Sequence, residues 1–160
     1  MKIKLKKKGT KVSDEDIQRL EAELGFSLSK SFKDFVQKHD QAKFEDNVFK
    51  VGEHQESGVH ELVPVSQIAS ERECVENLPS RGYPVAWDAF GNYIFIDEGK
   101  KGAVYFWDHE LPDEITKIAD NFDAFLSILE PDTDPVELKP GQVKSVWTHP
   151  DFAKLIKEED

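Results

Sequence analysis

The chain has 160 residues, a length that suits one domain with a tail better than two domains. Asp and Glu number 32 against 21 Lys and Arg, and the resulting net charge of −11 argues against nucleic acid or an anionic membrane as the main partner. The single Cys excludes an intramolecular disulfide, no apolar run approaches the roughly 20 residues of a membrane span, and the basic start lacks the apolar stretch of a signal peptide, so we expect a soluble, cytoplasmic protein.

Residues 1–12 form a basic segment with six lysines and no acid. Ile3 and Leu5 alternate with the lysines, a pattern that suits a short edge strand. A solvated basic tail is nevertheless the preferred interpretation, and the edge strand is the alternative. In either case we expect the main domain to span residues 13–130.

Two amphipathic helices are predicted next. Ser13 is placed to cap the first helix and Gly25 to end it with a left-handed residue, while Ser29 is placed to cap the second. The apolar stripes of the two helices comprise Ile17, Leu20 and Leu24, and Phe32, Phe35, Val36 and His39.

The following stretch has weaker signals. Residues 44–51 predict a strand, residues 52–61 a polar loop, and residues 62–65 a short strand that Pro64 confines to an edge or an end. Residues 71–78 predict a further helix. Its inward side chains are expected to be Cys74, Val75 and Leu78.

The middle of the chain has the strongest strand signal. Residues 84–88, 93–97 and 103–108 are apolar segments joined by tight turns that contain glycine, which is typical of a meander. The second and third segments are apolar on both faces and should therefore lie centrally in the sheet. We expect Gly91, in the first turn, to adopt a positive φ.

The last predicted elements are a short strand at residues 116–119 and a helix capped by Asp120 or Asn121. Residues 131–160 then form a linker and a short C-terminal helix. The side chains expected to dock that tail on the domain are Trp147, Phe152 and Ile156.

No group of residues has the spacing of a known catalytic or metal site. Cys74 lies among carboxylates, which do not activate a thiol, so we expect a packed side chain. Asp108 and His109 are adjacent in a predicted strand and would point to opposite faces. His54 and His60 share a loop with acids but match no metal-binding spacing. We therefore expect no catalytic residues, no metal and no cofactor.

Five short segments occur in a characteristic order, and together they cover about residues 13–130. They are LEAELGFSL at 20–28, SFKDF at 31–35, PVAWDAFGN at 84–92, VYFWDHE at 104–110 and NFDAFL at 121–126. This order resembles the SUKH superfamily, which includes the yeast cell-wall synthesis regulator domain and many bacterial immunity proteins. One departure is Ser29, where the family commonly has a proline.

The resemblance implies an α+β fold with a central, mainly antiparallel sheet, flanking helices, two N-terminal helices and a C-terminal helix. It also implies binding rather than catalysis. Bacterial members of this kind neutralise a secreted toxin, often a nuclease or a nucleic-acid deaminase, by binding it in the cytoplasm. The alternative is a regulatory or scaffolding domain without a toxin partner. A third hypothesis is a small metal-dependent hydrolase that uses Asp108, His109 and the loop with His54 and His60.

An acidic surface suits a basic toxin, and binding residues concentrate in loops, so the candidate partner-binding residues are acids in loops and at strand ends. They are Glu53, Glu56, Glu61, Asp88, Asp97, Glu98, Asp108 and Glu110. Trp87 and Trp107 are aromatic anchors if exposed, although core packing is the preferred interpretation. We expect a monomer or a weak dimer that binds a toxin and neither nucleic acid nor membrane.

Overall fold

The computed structural model describes residues 3–53 and 55–131. The helices within them are α1 (Asp14–Leu24), α2 (Lys30–His39), α3 (Ile68–Arg72) and α4 (Phe122–Ile128). The strands are β1 (Leu5–Lys7), β2 (Lys43–Phe44), β3 (Val48–Lys50), β4 (Glu56–Gly58), β5 (Glu61–Leu62), β6 (Gly82–Trp87), β7 (Tyr93–Asp97), β8 (Ala103–Trp107) and β9 (Ile115–Ala119). The predicted docking of the tail through Trp147, Phe152 and Ile156 falls outside the described residues.

Strands β5 to β9 form one antiparallel sheet in the order β5-β6-β7-β8-β9. The predicted meander is confirmed as β6, β7 and β8. Strand β7 lies at the centre, and Ile94, Phe95 and Ile96 are fully buried because both faces of the sheet are covered. The predicted α+β class with a mainly antiparallel sheet is therefore confirmed.

The two faces of this sheet contribute to different cores, because successive side chains of a strand point to opposite sides. Ile94 and Ile96 belong to the main core, which also contains the apolar faces of α1, α2 and α4. Phe95 and Trp107 belong to a smaller cluster on the other face, where Val75 packs against them. Helices thus cover one face, and the segment after α3 covers part of the other.

The predicted ends of α1 and the predicted cap of α4 agree with the structure. The Ser13 hydroxyl accepts a hydrogen bond from the Asp16 N–H, and the Asp16 carboxylate accepts one from the Ser13 N–H, which makes a capping box. Gly25 follows α1 with φ 85°. The Asn121 side chain caps α4, and Gly91 has φ 88°, as expected.

The basic N-terminal segment contains a strand. Strand β1 pairs antiparallel with β2, with Leu5 opposite Phe44. The Thr10 N–H also donates to the Asp40 carbonyl at 2.7 Å. The preferred interpretation, a solvated tail, is therefore wrong for Leu5–Lys7, where the alternative, a short strand, is observed.

The predicted strand at 44–51 and polar loop at 52–61 are wrong in detail. The chain bends at Glu45 and Asp46, so β2 and β3 are separate strands, and β3 pairs with β4, a strand that lies within the predicted loop. Asn47 and Val59 exchange hydrogen bonds next to that hairpin. Because β4 is largely polar, it lacks the alternating apolar pattern that predicts a strand.

The helix predicted at 71–78 is also wrong in its bounds and in one side chain. A 3-10 turn at Val65–Gln67 leads into α3, which ends at Arg72. The chain then turns, and Asn77 has φ 60°, which is incompatible with a continuing helix. Cys74 is exposed, whereas Val75 is buried as predicted.

Candidate functional site

The acidic candidates divide between two ends of the five-stranded sheet. One end is marked by the paired row Glu61, Trp87, Tyr93, Trp107 and Ile115. Six of the eight predicted acids belong to this end, and Asp97 and Glu98 lie at the opposite end of β7. We define the acidic end by three segments. They are residues 52–61, which lead from β3 through β4 to the start of β5, the β6–β7 turn (88–92) and the β8–β9 loop (108–114).

Asp88 holds the β6–β7 turn together. One carboxylate oxygen accepts the backbone N–H groups of Phe90 and Asn92, both at 2.8 Å. The other accepts the Asn92 side-chain amide at 2.8 Å and the Ser57 hydroxyl at 3.0 Å. Asp88 is only 4% exposed, so its carboxylate serves the fold and offers a partner almost no surface.

Asn92 continues this network into the next loop. Its amide N–H is committed to Asp88, so its oxygen is left to accept from His109, at 3.1 Å from the backbone nitrogen and 2.7 Å from the ring Nδ1. Ser57, Asp88, Asn92 and His109 thus connect β4, the β6–β7 turn and the β8–β9 loop. Polar networks with every member satisfied make such loops rigid.

The acidic end contains no Lys or Arg in any of its three segments. Glu56 and Glu110 are exposed, while Glu61 and Asp108 are half-buried. Glu53 is exposed in the β3–β4 turn. The β8–β9 loop adds Asp113 and Glu114, two exposed acids that the sequence interpretation did not select. Lys50, the cross-strand partner of Glu56, is a neighbouring cation, but the acids outnumber it and produce a negative potential over this end of the molecule.

The opposite end of the sheet differs in both charge and role. Asp97 is 5% exposed, and its carboxylate accepts the Gly99 N–H at 2.8 Å. One oxygen of Glu98 accepts the Ser29 N–H at 2.8 Å, the Ser29 hydroxyl, and the Tyr83 hydroxyl at 2.7 Å. These acids therefore support the fold, and exposed cations at 81, 100 and 101 surround them.

This arrangement corrects the predicted cap of α2. Ser29 occupies the N-cap position, but its side chain bonds to Glu98 and makes no capping bond within the helix. Burial, followed by the neighbouring Glu98 charge, raises the pKa of the Tyr83 phenol far above its ordinary value of 10.0. Tyr83 therefore acts as a permanent hydrogen-bond donor to Glu98.

The two predicted tryptophan anchors are largely packing residues. Trp107 is buried, and its indole N–H donates to the Glu76 carbonyl at 3.0 Å. Trp87 is half-buried, with its ring 6.4 Å from that of Tyr93. The Tyr93 hydroxyl donates to Glu71, and burial together with this bond raises the pKa of Tyr93 to about 12.

Sequence reasoning missed the exposed apolar side chains of this region. Among the described residues, the large apolar side chains that stay exposed are Phe90 (76%), Leu111 (51%), Ile115 (41%) and Ile128 (39%). The first three lie on the acidic end or on the strand row that borders it. One available signal was the position of Phe90 inside a turn, where it cannot join the alternating pattern of either strand.

The two strand-end residues of the hydrolase hypothesis, Asp108 and His109, are both bonded within the fold. The His109 ring bonds to Asn92, and the Asp108 carboxylate accepts the Glu110 N–H. Within residues 3–53 and 55–131, no three His, Cys, Asp or Glu side chains are placed to share a metal ion. His54, which that hypothesis also used, lies outside the described residues.

The fold and this surface define an α+β domain whose meander sheet presents an acidic end with exposed apolar side chains. Residues 11–128 match the SMI1 / KNR4 family (SUKH-1), and the chain belongs to that family. The family includes toxin-immunity proteins and regulators of the SMI1 / KNR4 type. A search of curated proteins finds no match. No helix among the described residues has both the length and the hydropathy of a membrane span.

Proposed function

We propose that the chain is an immunity protein that binds and neutralises a cognate secreted toxin in the cytoplasm. Family membership supports a protein partner. The main observation in favour of a toxin partner is the acidic end. Its three segments contain several acids and no Lys or Arg, and hydrogen bonds connect them. A surface of this kind complements a strongly cationic protein.

The charge also indicates the class of toxin. Enzymes that act on nucleic acid need cations to bind phosphates. A protein with clustered carboxylates on a rigid scaffold can occupy that cationic groove and exclude the substrate. We therefore propose a nuclease or another nucleic-acid-acting toxin as the partner, bound by a chain that is a monomer or a weak dimer.

The proposed role is stoichiometric binding without catalysis or a cofactor. Of the residues predicted from the sequence, Glu53, Glu56, Glu61, Asp108 and Glu110 remain the proposed contacts. Asp88, Asp97 and Glu98 contribute by holding loops and helices in place, since their carboxylates are occupied within the fold.

The test is inhibition of the toxin domain encoded beside the gene of this chain. Its hydrolytic or deaminating activity on nucleic acid is measured while the purified chain is added. We expect activity to fall linearly and to vanish near one chain per toxin. A toxin domain of the same chemistry from an unrelated locus is the control and should remain active.

Full toxin activity in a large molar excess of the chain would contradict this proposal. If the chain then bound a host protein and left the toxin active, the regulatory alternative would replace it. Turnover of nucleic acid or of a hydrolase substrate by the chain alone would instead contradict the absence of catalysis.

A further inference from the structure

The β6–β7 turn presents a large apolar side chain to solvent. Phe90 is 76% exposed, more than any other large apolar side chain among the described residues. Burial of a Phe side chain stabilises a fold, so the exposure of Phe90 forgoes a substantial gain in stability. The position therefore calls for an explanation outside the packing of the domain.

Several hydrogen bonds fix the backbone around Phe90, although the turn is exposed. The buried Asp88 carboxylate accepts the Phe90 N–H and the Asn92 N–H, and the Asp88 N–H donates to the Asn92 carbonyl at 3.1 Å. The Ser57 hydroxyl and the His109 backbone N–H both donate hydrogen bonds to this turn and fix it against its neighbours. A rigid turn loses little conformational entropy when its side chain is bound, which is the advantage of preorganisation.

The surroundings of Phe90 indicate the chemistry of its partner. Leu111 is exposed on the loop that Asn92 joins to this turn, and Glu56 and Glu110 supply negative charge from the neighbouring segments. Phe90, as an exposed apolar side chain on the acidic end, therefore complements an apolar pocket bordered by cations. Arg suits such a pocket, because its guanidinium can pair with carboxylates and also pack on the face of an aromatic ring.

We propose that Phe90 is the anchor of the toxin interface: its ring enters an apolar pocket bordered by Arg or Lys on the cationic toxin. This inference rests on the proposed function and adds to it the residue on which the lifetime of the complex depends. Interface energy concentrates in a few buried aromatic side chains, while surrounding charges act mainly on the rate of encounter. The anchor and the acids should therefore affect different rate constants.

The experiment measures association and dissociation of the purified toxin domain with full-length wild type, Phe90→Ala, Phe90→Tyr and Ile128→Ala. Because Phe90 is exposed, Phe90→Ala should keep the wild-type unfolding midpoint. We expect its dissociation rate to rise roughly 10- to 100-fold, while its association rate stays within about twofold. Phe90→Tyr, which keeps the ring, should restore slow dissociation.

Ile128→Ala is the matched control, since Ile128 is an exposed apolar residue on α4, outside the three segments that define the acidic end. Its dissociation rate should equal that of wild type. Wild-type binding with equal dissociation rates for wild type and Phe90→Ala would overturn the anchor and leave the proposed function standing. No binding or inhibition by wild type would overturn both.

Discussion

Gly91 lies beside Phe90 and has backbone angles that disfavour other residues. Its φ of 88° is in the left-handed region. A Cβ built on Gly91 would lie 3.7 Å from His109 Nδ1, an ordinary contact, so a substitution is opposed by backbone strain and not by crowding.

We expect Gly91→Val to lower the free energy of unfolding by about 1–2 kcal/mol, because a β-branched residue is strained at this φ. Gly91→Asn is the matched variant and should cost less, since Asn tolerates left-handed backbone. Urea unfolding of both variants and wild type measures the difference. Equal midpoints for the Val and Asn variants would show that φ does not limit this position.

Asp40 carries a buried carboxylate at the end of α2. One of its oxygens accepts the Val65 N–H at 3.0 Å. Burial raises the pKa of Asp40 above its ordinary value of 3.8, and the bond from Val65 offsets only part of this effect. The folded state therefore holds the Asp40 proton more tightly than the unfolded state.

This difference predicts that the contribution of Asp40 to the free energy of unfolding depends on pH. The contribution of Asp40 is most favourable below pH 3.8 and is lost as pH rises through its folded pKa. We therefore expect Asp40→Asn, which keeps an acceptor oxygen but cannot ionise, to gain stability relative to wild type as pH rises from 3.8 towards neutrality. Unfolding free energies across that range measure the gain. Asp34→Asn, an exposed change on α2, controls for the loss of one negative charge, and a pH-independent difference for Asp40→Asn would contradict the argument.

At the scale of elements, Glu98 links the start of α2 to the central sheet. It follows β7 directly and accepts bonds from Ser29 before α2 and from Tyr83 in β6. We expect Glu98→Ala to lower the free energy of unfolding by about 2–3 kcal/mol, because the fully buried Tyr83 loses its acceptor. Lys100→Ala, a change at an exposed position two residues further along the chain, should have little effect.

A second substitution separates the lost bond from general damage. In the Glu98→Ala background, Tyr83→Phe should cost less than it does in wild type, because the hydroxyl it removes is already unsatisfied. Chemical denaturation of wild type, the two single variants and the double variant completes this cycle. Additive costs would show that Tyr83 and Glu98 are not coupled in the folded state.

For the whole molecule, the net charge of −11 and the acidic end predict electrostatic steering of the proposed toxin partner. Raising salt from about 0.01 M to about 1 M shortens the screening length from roughly 30 to 3 Å. We expect association to slow by at least roughly tenfold over this range while dissociation changes much less. Stopped-flow mixing of chain and toxin domain measures both rates.

Charge reversal tests the same steering at constant salt. Glu56→Lys with Glu110→Lys, both exposed on the acidic end, should slow association. Glu23→Lys with Asp34→Lys makes the same change in net charge on exposed positions of α1 and α2 and should have a smaller effect. An association rate that is independent of salt, or equally slowed by the two double variants, would contradict a role for the acidic end.

Much of the fold could be read from local sequence, because its causes are local. The capping box at Ser13, the left-handed residues Gly25 and Gly91, and the apolar segments of β6 to β8 each depend on residues close in the chain. The order of five such segments was enough to indicate the family, which the match over residues 11–128 shows.

Only the tertiary structure decided which acids are exposed. In sequence, Asp88 and Glu110 are equivalent polar residues near strand ends, yet Asp88 accepts bonds from two segments and is buried, whereas Glu110 is exposed. Burial depends on contacts between distant segments, such as Ser57 with Asp88 and Ser29 with Glu98. The exposure of Phe90 has the same origin. Its hydrophobicity predicts a core position, but only the fold of the surrounding chain determines whether other side chains pack on it.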